Sequence, residues 1–220
     1  MSEMDMEQAR FNMIEQQIRP AEVLDSKVLT VIAEVPREFF VPAAYRELAF
    51  SDTNIPLPNG QEMMSPIQEA RLLQALDIKS TDNILEIGTG SGYLTALLAT
   101  LGKQVTSVEI DQELSNSAAQ KLRQQNKTNV TLEVGDGAAG WPGNGPYDVI
   151  AVTGSMPMLN DNFKQQLEVG GRLFVIVGTQ PAMSAQLITR VNERQWSQEE
   201  LFETVIAPLL NVETPSAFVF

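Results

Sequence analysis

Cysteine and histidine are both absent from this chain of 220 residues. No disulfide can form, and no thiolate can serve as a nucleophile. Without imidazoles and thiols the usual zinc and copper ligands are gone, so no metal is expected. The usual general base at neutral pH is gone as well. Basic residues are scarce, 15 Lys and Arg against 28 Asp and Glu, which leaves a formal net charge of -13. A surface of that sign repels phosphate backbones, so nucleic acid is not an expected partner. No apolar run reaches the roughly 18 residues that read as a membrane helix, so no membrane partner is expected. The first residues are acidic and amphipathic rather than basic and then apolar, so no secretory leader is read and the cytoplasm is the expected location.

What the chain does contain is ordinary for a globular domain, 43% hydrophobic and 20% charged residues. Its length suits one domain, 1–220, that buries about 70% of the surface an unfolded chain exposes. Within it, residues 1–80 read as an N-terminal helical cap with a substrate loop, and 81–220 as an α/β core. In the first part, apolar residues at helical spacing predict helices over 4–18 (Met4, Phe11, Ile14, Ile18), 25–35 (Val28, Leu29, Ile32) and 66–77 (Ile67, Ala70, Leu73, Leu76). Residues 36–64, punctuated by Pro36, Pro42, Pro56, Pro58 and Gly60, read as irregular.

From residue 83 strands and helices alternate. Strands are predicted at 83–88, 104–110, 130–134, 147–153 and 171–178, and helices at 91–101, 111–126 and 160–168. That order predicts an α/β fold, a doubly wound and mostly parallel sheet of Rossmann-like type. Residues 183–192 and 200–207 read as two edge strands, antiparallel, the second also compatible with a helix. The tail 216–220 reads as a short strand or a docked apolar end.

Residues 84–95 carry the most information. The apolar strand Ile84-Leu85-Glu86-Ile87 runs into Gly88-Thr89-Gly90-Ser91-Gly92, and a helix with Leu94, Leu97 and Leu98 follows. A strand, a tight glycine turn and a helix let backbone approach a nucleotide-like ligand closely. A second strand ends at Glu109, about 20 residues past the turn, where an acid accepts hydrogen bonds from ribose hydroxyls. The third glycine of a dinucleotide fingerprint is missing, because Tyr93 stands after Gly92, and this counts against an oxidoreductase. No basic residue lies between Gly88 and Leu101 to meet phosphates. A ribose without phosphate fits better, and S-adenosylmethionine is the expected cofactor, with Glu86 a candidate acid for its sulfonium. Gly135-Asp136-Gly137 follows the third strand, where Asp136 is placed either to accept from an adenine amino group or to form an Asx turn.

These motifs together resemble the protein-L-isoaspartate O-methyltransferase family. The resemblance is carried by residues 85–95, by Gly135-Asp136-Gly137 with Gly140-Trp141, by 146–153 and by 166–173. Upstream, Val35-Pro36-Arg37-Glu38-Phe39-Phe40-Val41-Pro42 and Gly60-Gln61 match as well. It implies methyl transfer from S-adenosylmethionine to the free carboxylate of isoaspartyl residues in damaged proteins, which are then the expected partners. The cofactor set read from the motifs is Glu86, Gly88, Thr89, Gly90, Gly92, Glu109, Asp136 and Gly137. The family pattern Gly-Gln-Thr-Ile-Ser-x-Pro reads here Gly60-Gln61-Glu62-Met63-Met64-Ser65-Pro66. Met64 stands where the family has its serine, and Ser65, the candidate catalytic residue, lies one position later. Ser65-Pro66-Ile67-Gln68 is also a capping box with proline at the first helical position. The same scaffold with a different acceptor, and a module that binds the cofactor without turnover, are the competing expectations.

Overall fold

The computed structural model describes residues 3–213, so the 216–220 segment lies outside the described residues. The N-terminal helix α1 (Glu3–Met13) opens into a π turn at Ile14–Ile18, which buries both isoleucines, and the run continues through Pro20 in a 3-10 turn, Arg19–Ala21, that stops at left-handed Glu22. Helix α2 (Ser26–Glu34) is capped by Asp25, whose carboxylate accepts from the Lys27 amide, and it stops before Pro36. The segment read as irregular is partly ordered. It holds a one-turn helix α3 (Arg37–Phe40), the two-residue strands β1 (Ile55–Pro56) and β2 (Glu62–Met63), and 3-10 turns. Periodicity cannot register elements this short. Helix α4 (Pro66–Leu76) buries Ala70, Leu73 and Leu76 of the predicted face and Leu72 besides, while Ile67 is only half-buried.

The core alternates as expected: β3 (Asn83–Ile87), α5 (Tyr93–Leu101), β4 (Gln104–Glu109), α6 (Gln112–Gln124), β5 (Val130–Val134), β6 (Tyr147–Met156), α7 (Asp161–Gln165) and β7 (Leu167–Thr179). The antiparallel β8 (Ala182–Asn192) and β9 (Gln195–Glu203) follow. The seven strands lie in the order β5-β4-β3-β6-β7-β8-β9, and the first five are parallel. The chain therefore winds outward from β3 through β4 to β5 and restarts at β6 on the other side of β3. Such a reversal leaves a crevice at the carboxyl ends of the central strands.

Three boundaries differ from the sequence reading. The last predicted core helix ends at Gln165, because Leu167 is drawn into β7 opposite Tyr147. Strand β6 runs on to Met156, where it also meets the chain near Pro208. The final strand is Gln195–Glu203, earlier than expected, because a turn closed by Asn192 and the Arg194 amide (3.0 Å) folds it straight back on β8.

Side chains alternate between two apolar layers, as the period of two in a strand requires. Ile84, Val149, Ala151 and Phe174 face the layer that also holds α2, α4, α5 and α6. Leu85, Ile150, Val152, Leu173 and Val175 face the layer closed by Phe163 of α7 and Trp141. The N-terminal helices thus share one core with the sheet. Among the described residues no helix is long and apolar enough to cross a membrane. Phe174 is fully buried against Phe202, with ring centroids 6.3 Å apart. Phe174→Ala is expected to lower unfolding stability by about 3–5 kcal/mol in urea titrations, and a loss well under about 1 kcal/mol would contradict this packing.

Candidate functional site

The turn after β3 sets the geometry of the crevice. Gly88, Gly90 and Gly92 have φ of +94°, +51° and +85°, a region that L side chains rarely adopt. At Gly88 space is also exhausted, since an added Cβ would lie 2.2 Å from the Thr153 hydroxyl. That hydroxyl donates to the carbonyls of Ile87 and Gly88, both at 2.9 Å, and ties β6 to the turn. At Gly92 a Cβ would meet Ala118 at 3.1 Å, so this glycine lets α5 pack closely on α6.

Glu109, at the end of β4, reaches across to the same turn. Its Oε2 accepts from the Gly90 amide at 2.8 Å and its Oε1 from the Asp111 amide at 3.1 Å. Each oxygen keeps a further acceptor direction. Asp136 accepts from the Ala138 amide at 2.9 Å, as an Asx turn does, and from the Asn211 side chain at 2.9 Å. Of the two readings of Asp136 the Asx turn is the one seen, and the residue also lines the crevice. The described crevice is about 950 Å³, counted to its open mouth. It brings together Gly88, Thr89, Gly90, Glu109, Asp136 and Gly137 from the sequence-derived set.

Three residues of that set lie elsewhere. Gly92 serves helix packing, as above. Glu86 is fully buried behind the turn, where its Oε2 accepts from Thr95 (2.5 Å) and Ser107 (2.6 Å), and it does not line the crevice. Its place in the strand puts it on the inner face, against α5, rather than at the strand tip. Burial pushes its carboxyl up to about 8, against the pull of the two hydroxyls. Ser65 is buried at the N-cap of α4, its hydroxyl facing the Gln68 amide at 3.5 Å, while its own amide donates to Gln68 Oε1 at 2.9 Å. It too is outside the crevice lining, whereas Met63 and Met64 are part of it.

Further walls complete the crevice, of which Ile110 and Asn54 were not foreseen. Ile110, directly after Glu109, is 38% exposed and offers an apolar surface beside the acid. An isoleucine left at the tip of a strand was the signal available for it. The segment Ile206–Leu210 closes the far side, pinned by Ser155, whose amide donates to Ala207 (3.0 Å) and whose carbonyl accepts from Leu209 (2.9 Å). Asn54 and Glu62 form the rim, joined by a 3.1 Å hydrogen bond. Glu69 lines the crevice from α4 and pairs with the buried Arg37. Burial pushes the Glu69 carboxyl up to about 7, with the Arg37 guanidinium pulling the other way. No Lys or Arg stands among the described residues that line the crevice.

A glycine turn at a topological switch point, an acid at the neighbouring strand tip and no cation for phosphate define a nucleoside-binding α/β protein of Rossmann-like type. Residues 8–214 match the family model described as protein-L-isoaspartate(D-aspartate) O-methyltransferase, and the chain belongs to that family. A Rhodopseudomonas palustris protein-L-isoaspartate O-methyltransferase is 39% identical over 91% of this chain and 93% of its own. A Pelobacter propionicus protein-L-isoaspartate O-methyltransferase 2 is 38% identical over 95% and 93%. The fold agrees with a solved protein-L-isoaspartate O-methyltransferase, TM-score 0.76 at 22% identity, over 92% of this chain and 65% of that one. It also agrees with a Plasmodium falciparum structure of the same description in complex with S-adenosyl-L-homocysteine, TM-score 0.76 at 19% identity, over 93% and 97%.

The buried acid behind the turn has a measurable signature. Folded Glu86 keeps its proton to about pH 8, while an ordinary glutamate loses it near 4.5. The native state then binds more protons than the unfolded state between those values, so stability falls as pH rises from about 5 to about 8. Glu86→Gln, neutral throughout, is expected to make that decline shallower in urea titrations run across the range, leaving the share that comes from buried Glu69. A slope identical to that of the wild type would show that Glu86 is already ionised in the fold.

Proposed function

We propose that this protein transfers a methyl group from S-adenosylmethionine to the free carboxylate of isoaspartyl residues in damaged polypeptides. The observation that carries the reading is one continuous crevice. It joins the glycine turn and Glu109 on one side to the Met63–Met64 wall on the other, in a chain of this family. S-adenosylmethionine supplies an electrophilic methyl on a positively charged sulfur.

The residues fit a phosphate-free nucleoside. The free acceptor directions of Glu109 suit the two ribose hydroxyls, and backbone at Gly88 and Gly90 approaches without side chains in the way. Ile110 and Leu114 give an apolar surface for the base, with Asp136, Gly137 and Ala138 along its edge. The acidic lining favours a cationic sulfur. On the acceptor side a carboxylate is ionised at neutral pH, since its ordinary pKa lies near 4. It attacks without a general base, so a chain without histidine can run this reaction, and no metal is needed. Met63, Met64 and the Ile206–Leu210 segment keep water from the space between donor and acceptor, and holding the two in line supplies the acceleration. We read the chain as one methyltransferase unit, residues 1–80 forming its acceptor-side cap, that acts in the cytoplasm on cellular proteins.

A second reading keeps the scaffold and changes the acceptor. Glu62 on the rim and the lack of a lining cation favour it, because two carboxylates about 4 Å apart repel by roughly 1–4 kcal/mol under water-like to surface-like screening. Ser65 also must leave its cap to reach an acceptor.

The deciding assay offers labelled S-adenosylmethionine with an isoaspartyl peptide and its aspartyl twin. Label is expected on the first and not on the second. Cofactor binding without isoaspartyl-dependent label would favour the second reading. Glu109→Ala is expected to weaken cofactor binding in calorimetry by about ten-fold, the loss of one or two hydrogen bonds to a charged acceptor, and an unchanged affinity would remove Glu109 from the site. Ser65→Ala is expected to cost about 1 kcal/mol of stability as a lost helix cap, with turnover retained. A collapse of turnover at unchanged stability would instead place Ser65 at the acceptor.

A further inference from the structure

We propose that Arg37 is a positioning residue for the acceptor side of the crevice, fixing the backbone at Met64 relative to the start of α5. The proposal rests on the methyltransferase reading above. Arg37 is 1% exposed, and every arm of its guanidinium is engaged. Nε donates to the Ala49 carbonyl at 2.9 Å, Nη2 donates to the Met64 carbonyl at 2.6 Å, and Nη1 pairs with Glu69. Its plane lies over the Tyr93 ring, 4.9 Å from the centroid. Tyr93 is the first residue of α5, directly after the glycine turn, and it also packs on Phe40. One side chain thus touches the segment before the rim, the acceptor wall, the first turn of α4 and the helix that begins at the donor turn.

The energetics argue that geometry, not stability, is what this pair supplies. Burying an arginine and a glutamate costs several kcal/mol per ion, and well-packed apolar residues often do as well or better. A planar fork with fixed donor directions does what they cannot, because it sets three oxygens at defined positions. The other ties of this wall lie on either side of Met64: Met63 pairs with Ile55 across β1 and β2, the Leu57 amide bonds the Gln61 carbonyl at 2.8 Å, Asn54 bonds Glu62, and Ser65 is held in its capping box. Met64 is the residue that stands at the family's serine position, and its carbonyl is the one Arg37 takes.

Arg172 provides an internal control. It forks in the same way at the other end of α4, to the carbonyls of Leu76 (2.9 Å) and Asp77 (2.7 Å) and to Asp82 (2.8 Å). None of these residues lines the crevice. Arg37→Lys keeps the charge and loses the fork, and Arg172→Lys makes the same change away from the site.

The test measures KM for an isoaspartyl peptide, affinity for S-adenosylmethionine, and amide hydrogen exchange, all below the melting temperature of each variant. For Arg37→Lys the peptide KM is expected to rise about ten-fold or more while cofactor affinity stays within about two-fold. Exchange is expected to quicken at residues 61–65 and to stay unchanged at 88–92. Arg172→Lys is expected to lose stability and keep both constants. A wild-type KM in Arg37→Lys, or an equal rise in Arg172→Lys, would overturn the proposal. If the wild type shows no isoaspartyl turnover, the functional reading fails on its own, and unchanged exchange at 61–65 then decides against Arg37. Should Arg37→Lys not fold, Arg37→Met combined with Glu69→Met removes both charges together, and the same shift in KM and exchange is expected of it.

Discussion

Every feature of the crevice depends on a backbone that runs left-handed at Gly88, Gly90 and Gly92 with no volume left for a side chain at the first. The Thr153 hydroxyl fills the space a Cβ would need and bonds the carbonyls of Ile87 and Gly88, so the turn is held from β6. Glu109 holds it from β4 through the Gly90 amide. A loop bonded from both neighbouring strands keeps its shape without a ligand, and so lowers the ordering cost of binding one.

The chemistry follows from what the chain lacks. A crevice lined by acids, with no described lysine or arginine, is poorly suited to phosphates and well suited to a sulfonium. A carboxylate nucleophile needs no base, so the absence of histidine sets no barrier. The same electrostatics make the acceptor side the demanding half of the problem, because Glu62 and the acceptor carry the same sign. The buried guanidinium behind that side, Arg37, is spent on two carbonyls, Glu69 and the Tyr93 ring rather than offered to a ligand.

Two buried acids show how context assigns different work to one residue type. Glu86 and Glu109 end up on adjacent strands, β3 and β4, and read alike as acids near a glycine turn. Glu86 lies within its strand, faces α5, and is held by two hydroxyls that leave its carboxyl raised by burial. Glu109 ends its strand and bonds two amides at the mouth of the crevice. A shift of one position along a strand reverses the face, and a shift to its end exposes the side chain to the site.

The sequence by itself determined the alternating strands and helices of the core, the glycine turn, the acid of β4 and the turn at Asp136. Each is written in local periodicity or in residues whose backbone preferences are strong. Tertiary structure decided the rest: that β9 folds directly back on β8, that Leu167 leaves its helix for the sheet, and that Glu86 and Ser65 face away from the crevice. It also brought Ile206–Leu210 and Asn211 against the turns of β5 and β6, and Arg37 against Met64. These pairings join residues far apart in the chain, and which face a side chain presents depends on a register and packing that no local pattern specifies.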